Sequence, residues 1–260
     1  MLLLGVMAAA PAFAVAGVAA APAAGTAQVS AHWLQIESRI ESGYFQQDAA
    51  GLVNLAATLS AGAGAPISGG KDEEWRSYYS ALLAYRLALL ARNDLTRAWP
   101  FTERCVDELN RALALDAGSA EALALQSACL ALQSNLDPWR APLAAHLSRA
   151  RSDKALTLAP DNPRVLLLGA LAASDRPAFF GGNDQRAFVL MQRAVAAFER
   201  QSVGAAGLPG WGAADAFTDL AEDYLSRGEA LAARNVLERA LLLAPDFTQA
   251  RRLMAEIVAG

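Results

Sequence analysis

Apolar residues recur at steps of three and four along most of the chain, and the clearest stretch lies near its end. Phe217, Leu220 and Tyr224, then Leu237 after an intervening break, form one apolar stripe on each of two successive helices. Ala221, Ala233 and Ala240 are small where two antiparallel helices would approach closely. Gly228 falls between the stripes, in a turn where left-handed backbone is cheap for glycine. Pro245-Asp246 ends the second helix and lets the next be capped. A single pair of this kind cannot bury its stripe, so it implies neighbours of the same build.

The same frame recurs upstream in weaker form. Trp33, Ile36 and Ile40 precede Ala49, Val53 and Ala56, with Gly43 near the turn and Glu37 where a small residue is expected. Ser60–Gly70 reads as a connection. A long helix over about 73–92 carries Trp75, Tyr78, Tyr79, Leu82, Leu83 and Tyr85, and its partner over about 99–115 carries Cys105, Leu109 and Ala112. A third pair starts at Ser119 and closes in Ala155-Leu156-Thr157-Leu158-Ala159-Pro160-Asp161, a motif that repeats almost word for word at 240–246. A fourth runs from Pro163 to a helix carrying Ala187, Met191 and Ala194, and residues 247–258 follow the fifth as a cap.

The frame F-x2-L-A-x2-Y, A-x3-L-x2-A, P at 217–245 resembles the tetratricopeptide repeat (TPR), a helix–turn–helix unit of about 34 residues. The resemblance implies an all-α, right-handed α-superhelix, a TPR-like solenoid of about five helix pairs plus a C-terminal capping helix. It also implies a protein that binds rather than catalyses. The inserted segments, with P-x-F-F-G-G-N-D at 177–184 and P-G-W-G at 209–212, are similar to those of bacterial exported TPR proteins, some of which accompany periplasmic solute transporters. On that likeness the expected function is a non-enzymatic protein-interaction or scaffold module of the bacterial envelope. The alternative is a ligand-binding accessory of a periplasmic transporter.

Composition sharpens this picture in two places. Residues 1–27 read as a signal peptide-like segment preceding a helical domain at 28–260, because Met1 to Ala24 is an apolar, Ala-rich run with no charge and small-residue sites at 12–14 and 21–23. The charged start of a signal peptide is missing, and a membrane anchor is the competing reading. The expected location is therefore periplasmic or secreted, with membrane contact only through that segment if it is uncleaved. The formal net charge is −4 and the basic residues, nearly all Arg, are scattered, which argues against nucleic-acid binding.

No catalytic or cofactor constellation is legible, so no enzyme activity and no cofactor is expected. His32 and His146 are far apart and lack ligands at metal spacing. Gly69-Gly70-Lys71-Asp72 fails as a phosphate loop, because Ala65 replaces its first Gly and Asp72 its Ser/Thr. Phe180 to Asp184 reads as a turn with an Asn/Asp cap before it reads as an anion site. Carried over by frame, the groove positions include Glu121, Ala124, Ala128, Arg164, Leu167, Leu171, Asp215, Thr218 and Glu222. Arg164 is the sole cation among them, which disfavours capture of a peptide carboxylate.

Two expectations concern particular side chains. Cys105 and Cys129 fall at one level of adjacent helices, and two buried free thiols are expected, with a disulfide as the alternative. Trp139, Phe179 and Phe180 lie in loops inserted at equivalent turns, which line up along one edge of a solenoid, and they form the candidate contact site for a protein partner. The competing reading is that these loops fold back and bury their rings. Trp211, in a loop joining successive pairs, is expected on the opposite edge.

Overall fold

The computed structural model describes residues 24–61, 69–201 and 209–259. The leader expected at 1–27 lies outside the described residues as far as residue 23, as do most of the Ser60–Gly70 connection and the start of the 204–212 segment. Among the described residues no helix is long and apolar enough to cross a membrane.

The described chain is all-α, with five successive helix pairs and a last helix. The pairs are α1 (Ala24–Phe45) with α2 (Ala49–Ser60), α3 (Gly70–Leu90) with α4 (Leu95–Leu115), α5 (Ala120–Leu136) with α6 (Ala141–Leu158), α7 (Pro163–Asp175) with α8 (Asp184–Arg200), and α9 (Ala213–Ser226) with α10 (Ala230–Leu243). The final helix, α11, is Thr248–Ala259. Each helix packs on its partner, and α4, α6, α8 and α10 also pack on the helix that follows. The odd-numbered helices form the inner layer, α1 on α3 and α5 on α7.

Local chemistry sets most boundaries. Asp94, Ser119, Asn162 and Asn183 each cap a helix by accepting a backbone N–H within its first turn. Asn183 therefore acts as the cap of α8. The two closing motifs adopt one geometry: Ala159 and Ala244 end α6 and α10 at φ/ψ of −142°/71° and −136°/81°. Gly228 takes φ +77° in the turn of the last pair, and Ala221, Ala233 and Ala240 are fully buried where its helices meet. Those residues give that pair the TPR-like packing its sequence frame implies.

The first pair differs from expectation at Gly43. It sits inside α1, and the turn is made by Gln47 at φ +59°. A Cβ at Gly43 would come within 2.8 Å of Leu52, so this glycine lets α1 and α2 approach closely. The third helix is buried nearly all round, Tyr78 through Ala88 included, because neighbours cover it on every side.

The expectation of free thiols is overturned. Cys105 on α4 and Cys129 on α5 form a disulfide with a Cα–Cα distance of 6.3 Å, and both cysteines of the chain are thereby used. The frame assigns Cys105 to the face that meets α3, but α4 is wedged between α3 and α5 and is covered by both. Its fully buried side chain thus serves both neighbours.

Candidate functional site

In a simple solenoid each repeat meets only its neighbours, and an open groove runs along the inner helices. Here the first helix reaches the fifth pair. Glu37, the misfit of the first frame, is 7% exposed and accepts hydrogen bonds from the Tyr79 hydroxyl at 2.7 Å and the Gly210 amide at 2.9 Å. Burial pushes its carboxyl above the usual range, although both hydrogen bonds favour the charged form.

Trp211 is buried as well, contrary to the expectation of an outer edge. Its indole N–H donates to the Tyr78 hydroxyl at 3.1 Å, and its carbonyl accepts from Arg164 at 3.4 Å. Two glycines bracket it for reasons of space. A Cβ at Gly210 would stand 3.0 Å from the Glu37 carboxylate. Gly212, at φ +105°, has Leu167 and Phe198 within 3.2 Å of where a Cβ would be.

These contacts fill much of the groove. Ala124, Ala128, Leu167 and Thr218 are inaccessible, and Arg164 is held by Glu121 at 3.1 Å. Asn162 donates to the same carboxylate at 2.7 Å. No peptide can use those positions without displacing the protein's own side chains.

What stays open is a cavity of about 840 Å³. Arg86 lies in its wall, 2% exposed, and donates two hydrogen bonds of 2.8 Å to Asp215 and a further one of 2.7 Å to Glu41. The guanidinium also lies 4.1 Å from the Tyr44 ring centre and 5.1 Å from that of Trp211. Tyr44, Tyr85, Phe247, Leu171 and Met191 supply the aromatic and aliphatic wall.

The opposing wall is α9, which presents Asp215, Asp219, Glu222 and Asp223 to the cavity. One buried cation thus faces several carboxylates, and protonation rises accordingly. Burial and then the Asp215 charge push Glu41 up to about 8 in spite of Arg86. Burial, then crowding by Asp215 and Glu222, raises half-buried Asp219 well above the usual carboxylate range. A smaller hollow of about 560 Å³ between α6 and α8 is lined by Arg186 and Arg193, which pair instead with Asp153 and Asp161. Among the described residues no cluster of His, Cys, Asp or Glu could hold a metal ion.

The aromatic loops expected to form a contact site are placed as follows. Trp139 is 95% and Phe179 92% exposed, whereas Phe180 is half-buried and meets Phe179 edge to face at 5.3 Å. Trp139 stacks on neither, and Arg140 beside it lies over Trp99. Sequence reasoning named Asp215 and Glu222 as groove positions but missed Arg86, Glu41, Tyr85 and Asp219. A visible signal existed: four acids at 215, 219, 222 and 223 share one helix face, and no base stands among them.

No protein-family model and no curated protein matches the chain. Among solved structures it is similar to the HusA haemophore from Porphyromonas gingivalis, with 22% identity, a TM-score of 0.60, and a match covering 78% of this chain and 96% of that one. It is also similar to the crystal structure of a thermophilic TPR protein from Thermus thermophilus, at 15% identity and a TM-score of 0.48, over 83% of this chain and all of that one. At 22% identity the likeness to the haemophore is one of fold, and the helix pairing described above makes the chain a TPR-like helical solenoid.

Proposed function

We propose that this protein is a non-enzymatic binding protein of the bacterial envelope, and that its ligand is a small organic molecule held in the cavity around Arg86 and Asp215. The observation that carries this reading is the cavity itself, about 840 Å³ with three aromatic side chains on its wall, in a solenoid whose remaining groove is filled. Export is supported by the uncharged, Ala-rich N-terminal run and by the Cys105–Cys129 disulfide, a bond kept in oxidising compartments. The ligand class of the haemophore does not transfer readily, because a porphyrin's two carboxylates would meet the acids of α9.

A second reading rests on the exposed rings of Trp139 and Phe179: a protein partner docks on the inserted loops, and the protein is a scaffold. The test is native mass spectrometry of protein purified from envelope extract, followed by denaturing extraction. The small-molecule reading expects a stoichiometric adduct that is released on denaturation. No adduct, with a partner protein that is lost when Trp139, Phe179 and Phe180 are all changed to Ser, would replace it with the scaffold reading. N-terminal sequencing of the same material should begin between Val15 and Ser30 if the leader is cleaved, whereas an intact Met1 in membranes means an anchor.

A further inference from the structure

The geometry points to a small organic cation bearing N–H groups, a protonated amine or guanidine with an apolar body, as the occupant of the cavity walled by α9. The inference rests on the reading of that cavity as a small-molecule site, and adds the ligand's charge and donor pattern.

Two independent observations carry it. The first is a set of carboxyl groups without partners. Of the acids on the cavity wall, Asp215 is neutralised by Arg86, Glu222 accepts a hydrogen bond from Gln249 at 2.8 Å, and Asp175 lies 3.7 Å from Arg92. Asp219 and Asp223 have no side-chain hydrogen-bond or ion-pair partner among the described residues. The three further arginines lining the cavity, Arg92, Arg97 and Arg252, are exposed. Burial and crowding favour the protonated form of Asp219 and Asp223 in the empty protein, and a cation bound between them would favour their ionised form.

The second observation is an orphaned polar atom. Tyr85 on α3 is 1% exposed and lines the cavity, yet its hydroxyl has no hydrogen-bond partner. Buried hydroxyls are almost always paired. Beyond burial itself, the charges this hydroxyl feels most are Asp175 and Arg86, with Asp219 also acting, all on the cavity wall. The Tyr85 side chain lines the cavity together with Asp175, Arg86 and Asp219. Its lone pairs suit an N–H donor whose positive charge is balanced by Asp219 and Asp223. A quaternary ammonium satisfies the charge and leaves the hydroxyl unpaired. Tyr44, Phe247 and Leu171 complete the site with apolar surface for the body of the ligand.

The test is calorimetric titration of the full-length mature protein with four probes built on one scaffold: phenethylamine, its N,N,N-trimethyl derivative, 2-phenylethanol and 3-phenylpropionate. Spermidine serves as a second amine without a ring. The inference expects saturable binding of an amine at least tenfold tighter than of the alcohol or the carboxylate, with the trimethyl derivative intermediate. Asp219→Asn should weaken the amine at least tenfold without lowering thermal stability, which separates loss of a ligand contact from loss of fold. Tyr85→Phe should abolish the preference for the primary amine over its trimethyl derivative. Equal binding of the alcohol or tighter binding of the carboxylate overturns the cation assignment and leaves a small-molecule site in place. Unchanged amine affinity in Asp219→Asn does the same. Failure of every probe overturns the cation assignment, and the small-molecule reading then stands or falls on the adduct sought by native mass spectrometry.

Discussion

Arg86 and Asp215, 129 residues apart in the chain, form a bidentate ion pair with both N–O distances at 2.8 Å in the interior of the solenoid. Glu41 closes the triad from α1, so one guanidinium ties the first, second and fifth helix pairs together. Removing one member of such a pair costs more than the pair is worth, because the survivor is left buried and unmatched. Arg86→Leu would strand two carboxylates beside Asp219. We expect it to destabilise the fold by about 3–5 kcal/mol, read as a lower midpoint in urea unfolding. A variant as stable as wild type would show that the triad is not holding the inner layer.

The same acids predict an unusual pH dependence. The titratable groups lining the cavity are Tyr44, Tyr85, Arg86, Arg92, Arg97, Asp175, Asp215, Asp219, Glu222, Asp223 and Arg252, and Glu41 joins them through Arg86. Glu41 rises from 4.5 to about 8, and Asp219, Asp175 and Asp223 are raised too. A carboxyl whose folded pKa exceeds its unfolded one binds its proton more tightly in the folded protein, so stability falls as pH climbs between the two values. The melting temperature should therefore be higher near pH 5.5 than near pH 8, and Asp219→Asn should flatten part of that slope. A melting temperature that climbs over this interval would contradict the assignment.

The Cys105–Cys129 bridge closes a loop with a sequence separation of 24. A loop of that size restricts the unfolded chain by about 3 kcal/mol on the chain-entropy account. Alkylation of the folded or unfolded protein without reductant should label no thiol. Reduction should lower the unfolding free energy by an amount of that order, and labelling of both cysteines in protein from the oxidising compartment would refute the bridge.

Gly212→Ala tests how tightly the 209–212 segment is seated. Its φ of +105° is strained for any side chain, and the new Cβ would press on Leu167 and Phe198 at 3.2 Å. A loss of about 1–3 kcal/mol is expected from the backbone alone. Equal stability in denaturant would mean that the segment can shift outward without penalty.

Much of the architecture is legible because it is written locally. The stripe and small residues of 217–240, the turn at Gly228, the caps at Ser119 and Asn183 and the two closing motifs all act within a turn or a pair of helices. The site is less legible because its partners are remote. Glu37 looks like an error in the first frame until Gly210, 173 residues away, donates to it. Trp211 follows a connecting segment, which on spacing alone belongs at the surface, and only its contacts with Tyr78 and Arg164 bring it inside. Arg86 is one of many arginines in the sequence, and nothing beside it announces that it is buried.

The bond between Glu37 and the Gly210 amide also bears on the order in which the molecule is completed. A repeat array ordinarily folds from any point and spreads to its neighbours. In this chain the inner face of α1 has no finished environment until residues 210–215 have been synthesised, because buried Glu37 accepts from the Gly210 amide and the Arg86 that binds Glu41 is shared with Asp215. A helix that leaves the ribosome early is thus expected to settle late, because the loop that must close to complete its surroundings is long. The expected consequence is that the first and fifth pairs unfold together as one cooperative unit, and do not fray repeat by repeat from the N-terminal end.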